Sequence, residues 1–158
     1  MTFETNWSFQ LKYYDAIEAI LKANASSFII INVADPKLDK EQATDFVVTI
    51  EGGDVAVRIR RSDCRYRDLT IRSRSNYGGR TEINKIRDGC GKYYLYCWEG
   101  ASGKLDEWIL VDLDMARKNE LIENRSNIPN GDGTYFIAIS LMELYKTDCL
   151  IAHQGVSI

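Results

Sequence analysis

The stretch Asp45-Phe-Val-Val-Thr-Ile-Glu-Gly-Gly-Asp-Val-Ala-Val-Arg-Ile-Arg60 sets two β-branched runs on either side of a glycine pair. Asp45–Ile50 has the composition of a strand, and Glu51-Gly52-Gly53-Asp54 has hairpin chemistry, since glycine supplies the positive φ of a tight turn. Val55, Val57 and Ile59 then alternate with Ala56, Arg58 and Arg60, which is the period of a returning strand with its valines turned inward and its arginines outward.

Upstream, Ser8–Ala25 reads as an amphipathic helix, with Phe9, Tyr13, Ile17, Ile20 and Leu21 on one face. Phe28–Val33 follows as a buried strand, and Asp35-Pro36 opens a charged loop. Downstream, Asp68–Arg72 is a short strand, and Thr81 is placed to cap a helix running to Asp88. In that helix Ile83 and Ile86 form the apolar face, while Glu82 and Lys85 share the other. Tyr93–Glu99, Trp108–Leu113, Tyr135–Ile139 and Cys149–Ala152 are further strands. Met115–Glu123 and Leu141–Tyr145 are helical, and Asn130-Gly-Asp-Gly133 is a turn. Hairpin-connected strands interrupted by helices predict an α/β protein of the α+β type, with a mixed central sheet flanked by helices.

The length of 158 residues fits one domain with a sizeable core. The longest apolar run, around Phe28–Ile31, is far short of a membrane span, and the N-terminus lacks the pattern of a secretory signal. A cytoplasmic protein is the expectation. Cys64, Cys90, Cys97 and Cys149 are widely spaced, so neither a zinc site nor a disulfide framework is indicated. His153 is the single histidine, which weakens any histidine-based triad. No glycine-rich phosphate loop of the nucleotide-binding kinds occurs.

Charge is unevenly placed. The net charge is −3, yet residues 56–92 hold eleven basic and four acidic side chains, while residues 1–55 and 93–158 are each net −5. Nine of the eleven arginines fall in that middle segment. The planar guanidinium fork suits phosphate and carboxylate, so Arg58, Arg60, Arg72 and Arg74 are candidates to bind nucleic acid, DNA before RNA. The other reading is a solvated face, or arginines paired with the acidic flanks. The aromatic run Tyr93–Trp98 suits a half-buried sheet better than base stacking.

Thr44-Asp45-Phe-Val-Val, Val55-Ala-Val-Arg-Ile-Arg60 and Thr81-Glu82-Ile-Asn-Lys85-Ile86, in the order helix, hairpin, strand, helix, strand, resemble the core of the PD-(D/E)XK nuclease superfamily. The resemblance covers roughly residues 8–99. It implies that Asp45 and Glu82 hold Mg²⁺, that Lys85 orients water or offsets phosphate charge, and that Arg58, Arg60 and Arg72 clamp the phosphate. Glu18 on the first helix is a further acid of this kind. The family's Glu-x-Lys pair is replaced here by Arg58-x-Arg60, which can neither bind a metal nor serve as a base. Two functions therefore stand side by side. One is Mg²⁺-dependent phosphodiester hydrolysis. The other is a catalytically silent domain that binds nucleic acid or a protein, as an accessory or inhibitor protein of the kind phage and mobile elements carry.

Overall fold

The computed structural model describes residues 8–24, 30–33, 46–50 and 53–158, with 30–33 and 46–50 described by backbone alone. Asp45 lies outside the described residues. The elements run α1 (Tyr14–Asn24), β1 (Ile30–Val33), β2 (Phe46–Ile50), β3 (Gly53–Arg60), β4 (Asp68–Ser75), α2 (Glu82–Arg87), β5 (Tyr93–Trp98), β6 (Glu107–Asp112), α3 (Leu113–Lys118), β7 (Ile128–Pro129), β8 (Thr134–Ser140), α4 (Leu141–Lys146) and β9 (Leu150–Gln154).

Six strands form one sheet in the order β1-β2-β3-β5-β6-β9, and β4-β8-β7 form a second. Within the larger sheet β3 and β5 are parallel and the other neighbours antiparallel, so the α+β class and the mixed sheet are as the sequence predicts. The β2–β3 hairpin is present, with Ile50 opposite Gly53. The reason for Gly53 is not a left-handed backbone. A Cβ there would sit 2.5 Å from the Lys92 side chain, so glycine is needed for close approach.

The alternation along β3 sorts the molecule into layers. Val55, Val57 and Ile59 pack with Leu95, Cys97, Trp108 and Leu110 under Tyr13, Ile17 and Leu21 of the N-terminal helical segment. The opposite face carries Tyr94, Tyr96 and Trp98, which meet Leu69 and Ile71 of β4 and Ile137 and Ile139 of β8. Tyr94, Tyr96 and Trp98 stand edge to face at 5.7 and 5.0 Å, so this aromatic run is core, each ring pair worth about 0.5–1.5 kcal/mol beyond its burial. Arg58 and Arg60 project from the same face. Their "outward" side is thus the space between two sheets, and both are half-buried.

Helix α2 departs from the expected division into apolar and polar faces. Ile83 and Ile86 are buried, but so are Glu82 and Lys85, at 7% and 6% exposure. The helix joins β4 to β5, and Glu82 meets groups of β3, β4 and β5 instead of solvent, while Asn84 and Arg87 stay exposed. Thr81 starts it, its N–H accepted by the Asn84 side chain at 3.1 Å and its hydroxyl directed at the Ser73 carbonyl at 3.2 Å. All four cysteines are free. No described helix is long and apolar enough to cross a membrane.

Candidate anion-binding cleft

Arg58 and Arg60 leave β3 toward β4, where Arg72 comes to meet them. The register of β4 slips between Arg72 and Arg74, opposite Phe136 and Tyr135 of β8. Such a bulge places two residues of one strand against one of its partner and re-aims the side chains around it. The result is a cleft of about 60 Å³ with three guanidinium groups in its wall. Thr70, Asn130 and Thr134 add hydroxyl and amide groups, and Tyr135 and Phe136 close one side with rings. Arg74 sits at the rim, 5.2 Å from the centre of the Tyr135 ring. Three of the four arginines named from the sequence therefore line one cleft, and Arg74 lies against Tyr135 of its wall.

Their charges are not equally committed. Arg58 lies 3.3 Å from Glu82 Oε2. Arg60 and Arg72 bridge to no acid among the described residues. Burial works against the charge of Arg60, but Tyr96 and Cys64 more than offset it and raise its pKa. The field of Arg72 reaches Asp132, whose carboxyl is held below the usual range chiefly by hydrogen bonds from Thr134. Four of the five remaining central arginines make contacts elsewhere. Arg61 stacks over Phe9 at 4.1 Å, Arg67 pairs with Glu107, Arg80 with Asp88, and Arg87 with Glu123. Part of the basic segment is thus paired within the fold, whereas Arg60 and Arg72 of the cleft bridge to no acid among the described residues.

A recess of about 260 Å³ lies near Ser73, Asn124 and Asn127, and Arg87 and Arg125 line it. Arg87 is bridged to Glu123 at 2.8 Å and Arg125 to Glu143, so this recess presents far less free positive charge.

Compared with family models, curated proteins and solved structures, this chain matches none.

The acids proposed for metal ligation fare differently from the arginines. Glu82 accepts the Arg72 backbone N–H at 2.9 Å on Oε2, beside Arg58, and the Tyr94 hydroxyl on Oε1. Burial pushes the Tyr94 hydroxyl well above its ordinary value, against the pull of Arg58, so it stays a donor. A carboxylate that already accepts from three donors, one a cation, is a poor fit for Mg²⁺, which demands near-octahedral oxygen geometry. No cluster of three or more metal-ligating side chains occurs among the described residues. Glu18 pairs with Lys22 at 2.8 Å on α1, the helix on the far side of the sheet from Glu82. His153 is exposed on β9, opposite Ile109.

Sequence reasoning missed the contributions of β8 and its turn. Asn130-Gly-Asp-Gly133 was readable as a turn, but nothing local ties Phe136 to Arg72, some sixty residues away.

Proposed function

We propose that this protein binds nucleic acid by its phosphate backbone through Arg58, Arg60, Arg72 and Arg74, as a non-hydrolytic accessory domain. One observation carries the reading: three arginines from two different sheets line a single cleft whose other polar groups are hydrogen-bonding neutrals. Guanidinium forks match phosphate oxygens in pairs, and the partial burial of Arg58 and Arg60 strengthens their contacts relative to water, while Arg72 and Arg74 are exposed. Glu82 is then the support that fixes Arg58 and the β4 bulge, not a metal ligand.

The test is a salt-titrated binding measurement with DNA. Affinity should fall with a log–log slope of about −0.9 per phosphate neutralised, or about −0.7 on single strands, and Arg60→Ala and Arg72→Ala should each flatten it by about one unit. Binding indifferent to salt would remove the reading.

The order of elements favours a second reading. Helix α1, strands β1 to β3, helix α2 and strand β5 run in the order of the PD-(D/E)XK nuclease core, with β5 parallel to β3, although β4 of the second sheet is inserted between β3 and α2. On this reading Asp45, Glu82 and Lys85 act with Mg²⁺ in phosphodiester cleavage. Incubation of DNA with Mg²⁺ or Mn²⁺ separates the two. Cleavage lost in Asp45→Ala and in Glu82→Ala would favour hydrolysis, and intact DNA under conditions of saturated binding would favour the accessory role.

A further inference from the structure

The cleft has an exposed tyrosine beyond each of its ends. Tyr66 precedes β4 and Tyr77 follows it, and they are 76% and 81% exposed. A large aromatic in water is a common surface feature when isolated, but these two are set at defined places relative to the arginines. The Tyr66 carbonyl accepts the Trp98 indole N–H at 3.1 Å, and Trp98 is the strand partner of Arg60. Tyr66 therefore stands at the Arg60 end. At the other end the Tyr77 hydroxyl donates to the Asp132 carbonyl at 3.1 Å, within the turn that joins cleft residues Asn130 and Thr134. Gly133 (φ 82°) makes room for this ring, since a Cβ there would lie 2.9 Å from it. Tyr77 is thus anchored to the turn through its hydroxyl with most of its surface left open.

Resting on the phosphate-binding reading, we propose that the ligand is single-stranded DNA, with bases stacked on Tyr66 and Tyr77 and the intervening phosphates drawn toward Arg58, Arg60 and Arg72. Two features favour a single strand over a duplex. The guanidinium groups of Arg58 and Arg60 are recessed between the layers, where a flexible backbone can bend in and a stiff duplex cannot. The aromatic platforms offer nothing to a duplex, whose base faces are already covered, whereas unpaired bases of any sequence stack on them. β4 spans about 25 Å at roughly 3.3 Å per residue, so the platforms stand several nucleotides apart.

The experiment is fluorescence anisotropy with a mixed-sequence strand of about 12 nucleotides, within the usual range of such sites, and with the matching duplex. The full chain is measured at several salt concentrations, alongside Tyr66→Ala, Tyr77→Ala, Tyr77→Trp and Arg72→Ala. The expected result is tenfold or greater preference for the single strand. Each tyrosine-to-alanine change should weaken single-strand binding roughly 5- to 100-fold with an unchanged salt slope, as expected for the loss of one stacked base. Tyr77→Trp should retain affinity, and Arg72→Ala should lower the salt slope instead. Salt-dependent binding with equal duplex affinity, or with tyrosine variants indistinguishable from wild type, overturns the single-strand proposal and leaves phosphate binding standing. Absence of salt-dependent binding to either DNA overturns both.

Discussion

Arg58 on β3 and Glu82 on α2 meet at 3.3 Å between the two layers, and Glu82 also holds the Arg72 backbone and the Tyr94 hydroxyl. One carboxylate thus joins β3, β4, α2 and β5. Glu82→Ala should lower stability by about 3–5 kcal/mol, because it removes the carboxylate beside a part-buried guanidinium and the acceptor of a buried hydroxyl together. Urea denaturation followed by tryptophan fluorescence measures this. A loss under 1 kcal/mol would mean that the junction is not what holds α2 in place.

Removing one donor from that junction should cost less. Tyr94→Phe leaves a Glu82 oxygen without a partner in a buried setting, for an expected loss of about 1–3 kcal/mol. Measured with Glu82→Gln in a double-mutant cycle, the two changes should not be additive, since they share one hydrogen bond.

Simple anions should stabilise the fold if the cleft is preformed. Sulfate at 100 times its dissociation constant adds about 2.7 kcal/mol by linkage. Sulfate also strengthens burial in any protein, so the decisive quantity is the difference between wild type and Arg60→Ala/Arg72→Ala in thermal melts at matched concentrations. Equal increments in Tm for both proteins would count against an anion site.

The acid side of the stability profile should report on Glu99. Hydrogen bonding by the Tyr13 hydroxyl, helped by Lys12 and the Ser62 N–H, holds its carboxyl below its ordinary value of 4.5. A depressed folded value means that the stabilisation is present above the unfolded pKa and is lost as pH falls through the folded one. Denaturation midpoints taken from about pH 6 to pH 3 should therefore fall more steeply for wild type than for Glu99→Gln. Parallel curves would refute the assignment.

Gly133→Ala should destabilise by roughly 1–2 kcal/mol from its left-handed backbone alone. The added Cβ also displaces the Tyr77 ring. Thermal melts read the first effect, and the near-ultraviolet tyrosine signal reads the second.

How much of this was legible in the sequence varied from element to element. The face of α1, the alternation of β3 and the turn at Asn130–Gly133 follow from local periodicity and turn chemistry, and they appear where expected. The gathering of Arg58 with Arg60 is local too, because residues two apart on a strand share a face. Arg72 joins them only because β4 leaves the main sheet to pair with β8, and pairing across such a separation is set by core packing that no local pattern encodes. The role of Glu82 was hidden for the same reason. The segment reads as a short helix with Ile83 and Ile86 on an apolar face and Glu82 and Lys85 on a polar one, and the burial of that second face depends on partners outside the helix.

The pairing of β4 with β8 has a consequence for synthesis. Residues 68–75 emerge from the ribosome roughly sixty residues before 134–140, an interval of about 3–12 s at ordinary elongation rates. Through that interval Leu69 and Ile71 have no partner strand, and the cationic stretch between them and β3 has nothing to order it. The nascent chain therefore carries an uncovered, arginine-rich edge next to ribosomal RNA. Slower elongation over residues 76–133 lengthens the time for which Leu69 and Ile71 lack their partner strand.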